Sequence, residues 1–351
     1  MNEMMDAVVF NEIGKFEVTT RKIPELIREQ DVKIKILRAS ICGTDVHILH
    51  NPPGIAANKG IILGHECVGE VVETGVGVKM LKTGDRVIFD NNLPCGVCPA
   101  CQSGNSNLCT KMASMGAHID GVFAQYAVVP EQQITILSET VSLDEAIFAE
   151  PLNCVMGAVK KLKVMPGDTV LVLGGGPIGL YFTTLMRLCG AGRVLVSEVS
   201  DFRKEYALGQ GADRGIDPTK ENLEKEILTE TGGMGADIVI DAVGVLFPEA
   251  IKTVKKGGSI LLFGQNGMAH QELCQNDITA KGITIYGNYI GNYTLRNVAR
   301  LLESRRCDFS KMITHRLPLA EFGAGLAAMQ EGKALEVVLY PQNDIEKTVG
   351  K

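Results

Sequence analysis

Thr169-Val170-Leu171-Val172-Leu173-Gly174-Gly175-Gly176-Pro177-Ile178-Gly179-Leu180 is the stretch on which the fold turns. Thr169 to Leu173 reads as a continuous apolar run, as expected for a parallel strand covered on both faces. Gly174-x-Gly176-x-x-Gly179 follows it directly and opens a helix, with Pro177 early in that helix, where a missing N–H costs nothing. The first glycine permits a tight turn, the second lets a pyrophosphate approach, and the third lets helix and strand pack closely. Phosphates would rest on the free N–H groups of the helix N-terminus. Gly174, Gly176, Pro177, Ile178 and Gly179 are therefore the expected dinucleotide contacts.

Outward from this turn, strands and helices alternate. Arg193 to Ser197 is the next strand, followed by Glu198, 24 residues on from Gly174. A carboxylate there can accept hydrogen bonds from the adenosine ribose and repels a 2′-phosphate, so NAD is favoured over NADP. Arg203, a basic residue nearby that could help a phosphate, weighs slightly the other way. Asp201 to Leu208 reads as a helix. A further helix from Phe247 to Lys256 separates strands at Asp237 to Asp241 and Ser259 to Phe263. This alternation predicts an α/β fold with a doubly wound parallel sheet over residues 152–288.

Residues 1–151 have a different texture. Val68 to Val72, Arg86 to Phe89 and Phe123 to Val129 read as strands of a mostly antiparallel, β-rich domain, punctuated by Gly75, Gly77, Gly84 and Pro94. In residues 289–351, Leu295, Val298, Leu301 and Leu302 recur at helical spacing, and Val337 to Tyr340 reads as a strand. These few elements cannot build a core alone, so this segment is expected to return to the first domain.

The 351 residues suffice for two such domains, and 45% apolar with 22% charged residues is a globular balance. A net charge of −6 and the lack of a Lys/Arg run argue against nucleic acid as a partner. The most apolar stretch, Val170 to Leu188, is broken by glycines and is no membrane span. The opening Met1 to Asp6 has neither the basic region nor the apolar core of a secretory leader, so a cytoplasmic location is expected.

Of ten cysteines, four crowd into Cys95-x-x-Cys98-x-x-Cys101-x7-Cys109, within a Gly/Pro/Asn-rich lobe that has little to bury. In a reducing compartment four thiolates read as a closed, structural zinc site. A second constellation is dispersed. Cys42-Gly43-Thr44-Asp45-Val46-His47 offers a thiolate, a hydroxyl and an imidazole; Gly64-His65-Glu66 adds an imidazole and a carboxylate; Glu150-Pro151 adds another carboxylate. Zinc held by Cys, His and a carboxylate keeps a position open for water or an alcohol. Cys67, Cys154, Cys189, Cys274 and Cys307 sit among apolar neighbours and are expected to fill the core.

Taken in this order, and with Gly121-Val122-Phe123-Ala124-Gln125-Tyr126, these motifs make the chain resemble the zinc-containing medium-chain dehydrogenases, especially the sorbitol (polyol) and threonine dehydrogenase branch. The resemblance covers nearly the whole chain. It implies a GroES-like catalytic domain and a Rossmann cofactor domain, with two zinc ions per subunit and NAD. Cys42 and His65 would ligate the catalytic zinc, and Glu150 stands where ordinary alcohol dehydrogenases place a later cysteine. Glu66 would act directly or by exchange, and which of the two carboxylates touches the metal at rest stays open. Thr44 would take the alcohol proton and pass it through the nicotinamide ribose to His47. Hydride transfer between a secondary alcohol and NAD would give a ketone, in a homodimer or homotetramer assembled through the edge of the cofactor domain, near Thr284 to Tyr286.

The substrate pocket departs from the polyol branch. Ile48 follows His47 where that branch carries tyrosine, and Gly287 to Asn292 contains no arginine to clamp sugar hydroxyls. Ile48, His50, His118, Phe123 and Asn288 are the expected lining, and His118 and Asp120 fit either as contacts to a polar substrate or as solvated loop residues. Two other readings compete: a zinc-free quinone or enoyl reductase of the same fold, and a non-catalytic NAD-binding protein.

Overall fold

The computed structural model describes residues 3–345. Residues 1 and 2 of the opening hexapeptide, and the tail from 346 onward, lie outside them. The chain divides into two compact units: residues up to Asn153 together with those from Asn292 onward, and Cys154–Gly291.

In the second unit, six strands run parallel in the order Arg214–Ile216, Arg193–Ser197, Thr169–Leu173, Ala236–Asp241, Val254–Leu262, Thr284–Gly287. The strand order reverses beside Thr169–Leu173, and in such sheets ligands settle at the carboxyl ends of the strands at that point. Helix Pro177–Leu188 begins there. Val170 to Leu173 are wholly buried, which explains why this segment is apolar without alternation. Leu171, Leu173, Leu195, Val239 and Ile260 of the sheet join Ile227 and Ala250 of the helices in one core. The helix expected over 247–256 ends sooner, at Thr253. Val254 is already extended and pairs with Ala236, and Gly257 at φ +73 belongs to a strand bend that a helix cannot include.

In the first unit, the strand Asp31–Ser40 is the spine of a seven-stranded sheet. Along one edge it pairs antiparallel with Glu66–Thr74. Along the other it meets Tyr126–Pro130 and then Glu336–Tyr340. Glu336–Tyr340 and its parallel neighbour Ile313–Pro318 come from the far end of the chain and complete the sheet. Ile34, Ile36, Phe123, Phe322 and Leu339 share its core, with the rings of Phe123 and Phe322 centred 5.2 Å apart. The strand expected from Phe123 starts at Tyr126, because Ala124 instead makes an isolated bridge to Ala7.

The five remaining cysteines divide. Cys67 and Cys307 are buried and Cys154 is half-buried, but Cys189 and Cys274 are exposed, contrary to the expectation of core filling. Both exposed residues flank helix ends, Cys189 after Leu188 and Cys274 before Gln275, where the backbone leaves the packed layer. Among the described residues no helix is long and apolar enough to cross a membrane.

Candidate active site

Cys42 caps the short helix Gly43–Leu49. Its N–H donates to Asp45 Oδ2 at 2.9 Å, and its thiol faces the backbone N–H of Asp45 in return, a reciprocal clasp at the helix start. His65 and Glu66 open the neighbouring strand after Gly64, which holds φ +86 and whose added Cβ would lie 2.3 Å from the Phe123 ring. Only glycine fits this turn, so the core ring fixes where His65 points. The donor atoms of Cys42, His65 and Glu66 all lie within 4.8 Å of one another, with His65 and Glu66 buried. Glu150, buried in the first turn of helix Ala149–Val159, is not within that cluster, but its charge acts on all three.

The electrostatics call for a cation. Burial, and then Asp45, push the Cys42 thiol up to about 12. Burial, then Cys42 and Glu336, raise Glu66 well above the usual carboxylate range. Burial works against a charged His65, yet Asp45, Glu150 and Glu66 together raise it. Asp45 Oδ1 is buried without a hydrogen-bond partner and faces His65 Nδ1 at 4.0 Å. Sulfur, nitrogen and oxygen donors crowded with surplus negative charge fit a divalent metal, and zinc is bound by this donor set. Asp45 is a site residue that the dispersed motif leaves out, and its visible signal is an acid three residues after a helix-capping Cys.

Thr44 is half-buried beside the metal set, its Oγ1 3.8 Å from Cys42 Sγ. His47 is exposed one helical turn later, so the two share a helix face. Its ring packs over Gly54, where an added Cβ would come within 3.2 Å of Nδ1.

The four-cysteine lobe also converges. Cys98 Sγ stands 3.5 Å from Cys101 Sγ and 3.9 Å from Cys109 Sγ. A zinc–sulfur bond of about 2.3 Å sets tetrahedral sulfur pairs ~3.8 Å apart, which matches. Backbone N–H groups of Cys95 and Lys111 both donate to Cys109 Sγ at 3.3 Å. Those of Cys101 and Thr110 bring Cys98 down to about 6, whereas desolvation and Cys98 push Cys101 up to about 12. The lobe is shaped by the two-residue pairing of Asn92–Leu93 with Ala113–Ser114, by the short turns Pro99–Gln102 and Ser106–Leu108, and by hydrogen bonds between Asn292 and both Ser106 and Gly104.

In the second unit, Gly174 takes φ +99, with Val243 pressing where a Cβ would stand. An added Cβ on Gly179 would sit 1.9 Å from Gly174 O. Gly176 caps helix Pro177–Leu188, Pro177 is its first residue, and Ile178 is half-buried in its first turn. At Gly176 an added Cβ would meet nothing nearer than the Arg203 guanidinium, at 4.0 Å. That open space beside free N–H groups and a cation suits a pyrophosphate. Glu198 Oε2 accepts from Gly175 N at 2.7 Å and Oε1 from Ser200 N at 2.9 Å; its remaining lone pairs can still take ribose hydroxyls.

The expected substrate lining fares differently. Ile48 and Phe123 are core residues. His50 Nδ1 contacts Pro52 O, and His118 Nδ1 accepts from Ser114 N at 3.1 Å. Asp120 Oδ1 accepts from Ile62 N. His118 and Asp120 thus brace loops. Asn288, in the second unit, donates to Cys154 O and Ile290 O.

A phosphate cradle on a parallel sheet and a buried Cys–His–Glu metal set in a β-rich unit define a zinc-dependent, dinucleotide-using oxidoreductase. Comparison with known proteins agrees. The alcohol dehydrogenase GroES-like domain matches residues 28–139, and the zinc-binding dehydrogenase family matches residues 177–304. An L-threonine 3-dehydrogenase of Caldanaerobacter subterraneus subsp. tengcongensis is 36% identical over 97% of this chain and 100% of its own length. A sorbitol dehydrogenase of Bacillus subtilis is 29% identical over 96% of this chain and 97% of its own. A zinc-binding dehydrogenase of Sinorhizobium meliloti 1021, solved with NADP bound, superposes with a TM-score of 0.92 at 31% identity, covering 97% of this chain and 100% of that one. The chain belongs to the zinc-containing medium-chain dehydrogenases, in the sorbitol and threonine dehydrogenase branch. It is an enzyme of the alcohol and polyol dehydrogenase class, with a GroES-like first unit and a Rossmann second unit.

Proposed function

We propose that this enzyme converts a secondary alcohol of a small polar substrate, a polyol or an amino alcohol, to the ketone, with NAD as acceptor. The observation that carries the reading is the convergence of Cys42, His65 and Glu66 donor atoms within 4.8 Å. Cys42, His65 and Glu66 would hold the catalytic zinc, with Glu150 as the exchanging carboxylate, and Cys95, Cys98, Cys101 and Cys109 the structural one. Bound zinc supplies a Lewis acid for the substrate hydroxyl, and NAD supplies the hydride acceptor. Thr44 would take the hydroxyl proton at Oγ1 while passing its own on toward His47, whose exposed imidazole would accept it and give a proton up to solvent. Glu198 holds the adenosine ribose and favours NAD, while Arg203 and the N–H groups at Gly176 to Gly179 hold the phosphates.

Catalysis is assigned to residues 1–151 and 289–351, cofactor binding to 152–288. The enzyme is read as cytoplasmic, without nucleic-acid or membrane partners, and as a homodimer or homotetramer; the edge position of Thr284–Gly287 supports that assembly. The test is a screen of sorbitol, threonine, butanediol and hydroxy acids with NAD, followed by NADH absorbance, alongside metal analysis. Turnover with about two zinc ions per chain is expected, from one closed and one open site. A zinc content near one with no turnover of any secondary alcohol overturns the reading.

A further inference from the structure

Three strands of the first unit carry acidic or hydroxyl residues in a row. Ser40, at the end of Asp31–Ser40, stands opposite Glu66 on one side and opposite Val338 on the other. Glu336 is two residues before Val338, hence on the same face and diagonal to Ser40. Ile41 N donates to Val337 O at 3.0 Å, which carries the register on and brings Glu336 level with Cys42. The side chains confirm the row, since Ser40 Oγ donates to Glu336 Oε1. Ser40, Glu66 and Glu336 are 0%, 3% and 4% exposed.

Glu66 therefore has a second buried carboxylate behind it and the Cys42–His65 donor set in front. The charges that bear on it are Cys42, Glu336 and Glu150, all acidic, and His65. In a desolvated setting two carboxylates repel strongly, and the one free to relieve the repulsion moves toward a cation. A basic residue at 336 would draw Glu66 back; an acidic one drives it forward. Glu336 begins a strand that is otherwise apolar through Val337-Val338-Leu339, and the hydroxyl of Ser40 fixes its carboxyl in place.

We propose that Glu336 is a positioning residue for Glu66: from behind Ser40 it presses the Glu66 carboxylate into the Cys42–His65 set and so strengthens the site's hold on zinc. This rests on the zinc reading of that set. Glu336 touches neither substrate nor cofactor; it acts through Glu66.

The test uses purified full-length holoenzyme, with zinc affinity measured by competition against a chromophoric chelator and with cobalt(II) absorbance as a spectroscopic signature. Glu336→Gln keeps the acceptor for Ser40 and removes the charge. It is expected to weaken catalytic zinc roughly tenfold, as loss of a supporting group behind a ligand does, and to alter the cobalt band. Glu336→Lys should weaken it further, and Glu336→Asp should restore most of it. In a Glu66→Gln background the Glu336→Gln effect should disappear, because residues that act through one another are not additive. Wild-type affinity in Glu336→Gln, or an equal loss with and without Glu66, overturns the proposal while leaving the zinc site standing. A Cys42→Ala protein that keeps the full zinc content of wild type removes the zinc site itself, and the proposal with it.

Discussion

Asp45 Oδ1 faces His65 Nδ1 across 4.0 Å in a setting closed to solvent, where Asp45 is 0% exposed. That oxygen has no hydrogen-bond partner, and its charge raises His65 across the gap, so Asp45 is expected to polarise the imidazole. A ring that ligates through its other nitrogen gains basicity from such a neighbour. Asp45→Asn keeps the shape and loses the charge. Zinc affinity at the Cys42 site is expected to fall 10- to 100-fold, on the order of supporting carboxylates elsewhere, with little change in the Cys95–Cys109 zinc. Chelator competition with metal analysis reads both.

The two metal sites should separate cleanly by mutation. Cys42→Ala is expected to lower turnover by about a thousandfold or more, corresponding to ~4 kcal/mol of lost stabilisation, while the melting transition moves little. Cys98→Ala is expected to lower the melting temperature and to leave about one zinc per chain, because the lobe loses its clip. Calorimetry and zinc analysis on the two proteins distinguish the roles.

Acidity should loosen the cysteine lobe. The hydrogen bonds from Cys101 and Thr110 hold the Cys98 thiol down at about 6, against an ordinary thiol near 8.5. A depressed value contributes stability that is present above the ordinary value and lost as pH falls through 6. Cys101, held up at about 12, acts in the opposite sense, a cost that sets in as pH rises past the ordinary thiol value and grows toward 12. Chelator-stripped protein should therefore resist proteolytic cleavage within 95–109 increasingly from pH 6 to 8.5. Zinc-loaded protein should release the lobe's metal as pH drops below 6. Timed proteolysis and zinc release across that range give the check.

Gly179→Ala should damage the second unit. The added methyl meets Gly174 O at 1.9 Å, and neither backbone segment can yield without opening the strand–helix contact. A loss of about 3 kcal/mol is expected, with a melting decrease of roughly 10 °C and a rise in the KM for NAD.

Most of the cofactor unit was legible in advance, because its rules are local. Thr169–Leu173, Pro177–Leu188 and Arg193–Ser197 occur where periodicity and the glycine turn put them. Local pattern carries the helix after Phe247 on to Lys256 because Lys255 and Lys256 are good helix formers, and only the pairing of Val254 with Ala236 ends it sooner. The first unit was less legible. Its sheet is finished by Glu336–Tyr340 across some 300 residues of sequence, and no window of local pattern reports such a partner. For the same reason Glu336 went unnoticed: its neighbours Ser40 and Glu66 are remote in sequence. Phe123 wedges behind Gly64 rather than lining a pocket, a distinction that sequence does not carry, because an aromatic after Gly121 looks the same in either place.

The bond from Gly175 N to Glu198 bears on coenzyme engineering. A redesign that swaps Glu198 for a small neutral residue to welcome a 2′-phosphate also unpins the loop it hoped to reuse, since the same carboxylate braces the peptide between Gly174 and Gly176. Glu198→Ala is accordingly expected to raise the KM for NAD about tenfold, for a lost charged hydrogen bond, with less gain for NADP than charge removal alone would bring. Steady-state kinetics with both coenzymes measure the difference. Switching preference here is a two-site problem, in which a replacement tether for Gly175 has to accompany the new phosphate pocket.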